Sequence, residues 1–198
     1  MMRKKIFTFF LSVFFILTTL STNAYAYNTF NQHKLIYGVG NYGNNTQHYW
    51  IDETASEYTS YIDAAINEWK YTTSYWGITT PIWYTKTTSS SNSRMDIVKV
   101  DTINEWWGLT LMYNGTEINP YSSNWIWGKI LLDGDFSQLS GSSSDNRRKA
   151  VIAHEMGHVM GLAHTSFTNA IMRADIAYCS PGIFRAQPND LAGINYLY

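Results

Sequence analysis

The chain of 198 residues has one cysteine, Cys179. No disulfide can form within it, so a fold stapled by crosslinks is excluded and stability must come from apolar packing. Cys179 reads as a small buried or half-buried apolar residue rather than a reactive thiol. A basic excess is missing as well: 14 Lys and Arg stand against 15 Asp and Glu, which argues against nucleic acid as a partner. No internal repeat is present, and the low-complexity stretches are short. The one long apolar run, Ile6 to Leu20, is short for a membrane span. It follows Arg3, Lys4 and Lys5 and precedes Ala24-Tyr25-Ala26, the order of a secretory signal peptide cut after Ala26. No cysteine beside the cut can take a lipid, and the ending "AGINYLY" is no hydrophobic tail. The expected product is a secreted, extracellular monomer without stable membrane association.

The sequence divides into a signal peptide (1–26), an N-terminal lead segment (27–46) and one domain (47–198) large enough for a full core. The glycine- and asparagine-rich "YGVGNYGNNT" is expected to lead into the first strand without joining the core, while "TKTTSSSNSR" and "SQLSGSSSDN" read as solvated loops. Between these, β-branched and aromatic runs predict strands at 47–52, 81–87, 95–100, 106–113 and 125–133. Tyr58, Ile62, Ala65, Ile66 and Trp69 fall at helical spacing. A second helix is expected to start near Ser144 or Asp145 and run to about Gly161, and a third to span about 189–198. This order argues for a mixed sheet covered by helices, an α+β fold.

Histidine is scarce, five in the chain, yet three lie in "HEMGHVMGLAH" (154–164). Positions four apart on a helix share a face, so His154 and His158 can aim at one point. A catalytic zinc takes three protein ligands and keeps a fourth position open. Glycine ends helices in the left-handed conformation, so a turn at Gly161 would bring His164 back to the first two. Glu155, about 100° further round the helix than His154, would sit beside the metal as a general base. The alternative is a solvated or satisfied His pair. It weakens because five fixed positions coincide by chance in roughly one in 10⁵ such sequences.

These residues are the signature of the metzincin zinc endopeptidases, and the chain resembles the matrixin branch. Met172, eight residues after His164, matches the methionine of the family's tight turn beneath the metal, and "NDLAGINYLY" is similar to the C-terminal helix pattern, with Asp190 at the carboxylate that supports that turn. The resemblance covers most of 47–198. It implies a metzincin/zincin-like single domain, with a twisted, mostly parallel five-stranded sheet, an antiparallel edge strand and three helices. It also implies a zinc-dependent endopeptidase acting on protein or peptide substrates. One catalytic zinc would be held by His154, His158 and His164, with Glu155 as general base to the zinc-activated water. Gly161, Met172 and Asp190 would give structural support.

Ala174 and Ile176 depart from the family's usual proline and tyrosine at the wall of the specificity pocket. His33 and His48 are too few for the structural zinc site of animal matrixins, and no cysteine precedes the domain to operate the family's latency switch. Asp133 and Asp135 could hold calcium, although a polar turn is the simpler reading. Substrate is expected to add as a strand along "WWGLTLMY", where Gly108 would admit a close backbone; the same run also reads as an ordinary strand with Trp106 and Trp107 in the core. The many aromatics leave a competing class, a secreted binding protein with stacking platforms for sugars.

Overall fold

Aromatic and aliphatic residues at helical spacing draw the second quarter of the chain onto the sheet. The computed structural model describes residues 27–104, 106–139, 143–176 and 182–198; the expected signal peptide and Cys179 lie outside the described residues. Asp52 caps a short 3₁₀ turn, Glu53–Tyr58, by accepting the Thr54 amide, and helix α1 (Thr59–Lys70) follows. Ile62, Ala65, Ile66 and Trp69 of α1 and Tyr58 before it are all buried, so the face marked by periodicity is the face that packs. A one-turn helix α2 (Thr73–Trp76) comes next. The long helix α3 (Ser144–Val159) lies against α1, where the Trp69 indole N–H donates to the Ala153 carbonyl at 3.0 Å.

Beneath the helices lies a mixed sheet of six strands among the described residues. Its members are β2 (Gln47–Ile51), β3 (Tyr84–Thr87), β4 (Met95–Lys99), β5 (Gly108–Asn114), β6 (Thr116–Ile118) and β7 (Trp127–Leu132), ordered β3-β2-β4-β7-β5-β6. The first four in that order are parallel, and α1 supplies the crossover that parallel β2 and β3 need. β5 runs antiparallel to β7, with Gly108 opposite Leu132 and Tyr113 opposite Trp127. The five expected strands are all present. A hairpin through Gly115 (φ 80°) adds β6, which pairs with Met112–Asn114 and so shares the antiparallel edge with β5. Along β7 the buried positions alternate through Gly128, Ile130 and Leu132, and a side chain at 128 would meet Val159 of α3 at 2.8 Å.

The lead segment corrects one expectation. β1 (Asn28–Thr29) pairs antiparallel with β8 (Leu162–Ala163), and Phe30, Leu35 and Val39 are buried. Residues 37–46 therefore do not stay clear of the core: Val39 is buried, and the Trp83 amide donates to its carbonyl. The last helix, α4 (Pro188–Leu197), begins with proline in its first turn and a reciprocal cap between Gln187 and Asp190. Among the described residues no helix is long and apolar enough to cross a membrane.

Candidate active site

Helix α3 is buried through most of its second half, which puts His154 and Glu155 in the interior and His158 at its margin. The His154 and His158 rings stand with centroids 4.6 Å apart. The helix ends at Val159 with Met160 as its C-cap, and Gly161 takes φ 104° while its amide donates to the His158 carbonyl. The reversal feeds β8 and delivers His164 to the other two. Its Nε2 lies 3.1 Å from that of His154 and 3.2 Å from that of His158. A side chain at 161 would also meet Leu197 at 2.8 Å. Gly161→Ala is expected to destabilise the fold by about 1–3 kcal/mol through this strained conformation. Urea unfolding checks it, and an unchanged midpoint would show that the turn accepts a side chain.

Each helical histidine is oriented by a backbone carbonyl. Nδ1 of His154 donates to the Ile171 carbonyl at 2.8 Å, and Nδ1 of His158 donates to the Leu162 carbonyl at 2.7 Å. A carbonyl can only accept, so the proton sits on Nδ1 and the Nε2 lone pair faces the cluster. Burial favours the neutral rings, moving His154 down to about 4 and His158 well below the ordinary range, and partial burial moves the more exposed His164 in the same direction. Imidazole lone pairs held this close repel unless a cation lies among them. Neutral nitrogen donors, three in number, are what a catalytic zinc takes. Among the described residues, this trio forms the one His/Cys/Asp/Glu group close enough to hold a metal ion.

Glu155 is not part of that trio. It is 6% exposed, and burial raises its carboxyl to about 7, partly opposed by a hydrogen bond from Thr110. The Thr110 hydroxyl lies 2.7 Å from Oε2, and Gly108 leaves the space that the Glu155 side chain fills. The side of Gly108 that faces α3 is thus filled by Glu155. The cleft over these groups has a volume of about 450 Å³ and is walled by residues that include Trp107, Leu109, Val151, Ala174 and Ile176. Trp106 is exposed at 57%, whereas Trp107 packs partly against the core.

Beneath the histidines the chain turns at Ile171–Met172. Met172 is buried against Gly157, where a side chain would collide with its sulfur. Asp190, 1% exposed, accepts the amides of Ile171 and Gln187 at 2.8 Å each and that of Met172 at 3.3 Å. Burial raises its carboxyl to about 6 against the pull of these amides. The start of α4 thereby fixes the carbonyl that orients His154. Asp133 uses both carboxylate oxygens on backbone amides, those of Ile103 and Asp135, as a polar turn does. Thr110 and Gly157 escaped the sequence reading. A threonine two positions after Gly108 shares its strand face, but which helix residue it meets depends on how the layers stack.

Two imidazoles from a buried helix, a third from the turn after it, a carboxylate alongside and an apolar floor are the arrangement that characterises the zinc metallopeptidase class. Within that class the chain belongs to the matrixin family, whose peptidase M10 model matches residues 29–198. It is similar to matrix metalloproteinase-19 of Mus musculus, 31% identical over an alignment of 107 residues that covers 47% of this chain and 20% of that protein. It is also similar to stromelysin-3 of Homo sapiens, 28% identical over an alignment of 127 residues that covers 62% of this chain and 25% of that protein. The match thus spans a quarter or less of the length of these curated relatives.

Proposed function

We propose that this chain is a secreted zinc endopeptidase in which His154, His158 and His164 hold the metal and Glu155 is the general base. The observation that carries the reading is the convergence of three imidazoles, two of them oriented by backbone carbonyls, beside a buried carboxylate that takes no part in the ligand set. Bound there, zinc supplies a Lewis acid that acidifies water and polarises a peptide carbonyl. Glu155 accepts the proton of the attacking water and passes it to the leaving amine. Met172 forms the apolar floor, Gly161 the turn that returns His164, and Asp190 the clamp beneath.

An extended peptide would pair with Gly108–Leu111, the part of β5 that β6 leaves free. In this reading residues 1–26 direct export and are removed, 27–46 lead in and 47–198 carry the chemistry. The product acts as a monomer on protein or peptide. The test is direct. Purified protein should contain one zinc per chain and cleave members of a diverse peptide library, and a chelator should abolish cleavage until zinc is returned. Two zinc ions per chain would reveal a second site, and hydrolysis indifferent to chelation would overturn the proposal.

A further inference from the structure

We infer that Thr110 is a positioning residue for hydrolysis, setting which oxygen of Glu155 meets the reactants; this rests on the reading of Glu155 as base. Thr110 and Gly108 are two apart on β5 and face α3 together. The Thr110 hydroxyl has one proton and two acceptors on the same residue, Oε2 at 2.7 Å and the Glu155 backbone carbonyl at 3.1 Å. The shorter contact is to the carboxylate, the stronger acceptor. The other oxygen, Oε1, lies over Gly108, 2.9 Å from where a side chain would begin, and Cγ lies 2.8 Å from the same point. The strand thus grips the glutamate twice, by a donor at Oε2 and by a fitted gap under Cγ and Oε1. A glutamate side chain has three rotatable bonds, and both contacts together select one setting of them. Thr110 tethers Oε2 to the strand, which makes Oε1, the oxygen that Thr110 does not hold, the one assigned in this reading to receive and return the proton. Catalytic groups lose rate when their orientation is released even though their chemistry is intact.

The test compares Thr110→Val, which keeps the shape and loses the donor, with Thr110→Ser, which keeps the donor. Both are assayed for kcat and KM on one fluorogenic peptide cleaved by the parent, with zinc content and thermal midpoint measured alongside. Thr110→Val is expected to lower kcat about tenfold with KM within about twofold and zinc at one per chain, and Thr110→Ser to stay within about twofold of the parent. If Thr110→Val does not fold, Thr110→Ala is read the same way. Parent-like kcat in the donor-less variant, or equal losses in Val and Ser variants, would overturn the inference, the latter because it marks a packing role. Glu155→Gln separates the two readings. If it keeps the parent rate, the general base is wrong and Thr110 falls with it. If it is inactive while Thr110→Val is not impaired, Thr110 alone is wrong.

Discussion

Glu155→Ala is expected to lower kcat by about 10²–10⁴, roughly 3–5 kcal/mol of barrier, while zinc stays at one ion per chain. The carboxylate takes no place among the three imidazole nitrogens, so its loss leaves the ligand set intact. His158→Ala has the opposite signature. One of three converging lone pairs disappears, together with the bond from its Nδ1 to the Leu162 carbonyl, and both zinc and hydrolysis should go. Elemental analysis beside peptide cleavage distinguishes the two variants. Near-parent hydrolysis by Glu155→Ala in zinc-replete buffer would remove the assigned base and the mechanism with it.

Asp190→Ala should cost about 3–5 kcal/mol of stability, on the order of 10 °C in thermal midpoint. The substitution strands three amides, those of Ile171, Met172 and Gln187, in a region where Asp190 itself is 1% exposed. Charge-assisted bonds of this kind are stronger than neutral ones, and the donors left behind have no water to replace the acceptor. Zinc affinity should weaken as well, by about 10–100-fold, because the turn that Asp190 clamps carries the Ile171 carbonyl holding His154. Asp190→Asn keeps one carbonyl acceptor and should fall between. Circular dichroism melting and zinc competition measure the two effects. A midpoint unchanged in Asp190→Ala would show that the turn is held by something else.

The metal trio was legible because its geometry is local. Helical spacing places His154 and His158, and a glycine three residues before His164 supplies the turn, all within eleven residues of chain. Glu155 followed from the same helix. Met172 and Asp190 were reached through the family resemblance, since no periodicity says that residue 190 lies under residue 171. Thr110 was not legible. Alternation gives its face on β5, but its partner on α3 is chosen by the stacking of sheet and helix. The hairpin strand β6 carried a signal, Asn114-Gly115, yet Thr116-Glu117-Ile118 is too short and polar to read as a strand. The lead segment misled for a related reason. Its glycines and asparagines resemble a solvated loop, whereas the Trp125 and Trp83 backbones, distant in sequence, receive it into the core.

The two margins of the sheet bear on how copies of the chain meet at high concentration. An exposed strand edge is a template on which another chain can build, and growth requires a long, flat, uncharged run. One margin here is β3, four residues long, with Lys86 drawn to Asp63. The other is β6, three residues long, with Glu117 at its centre. Neither offers a ladder of more than about four rungs, roughly 13 Å of backbone. The stretch of β5 left open beside β6 is equally short, enough to grip one extended peptide and too little to seed a stack of them. Protection from fibrous association therefore comes from the shortness of the edges, in a chain whose single cysteine rules out any crosslink within it.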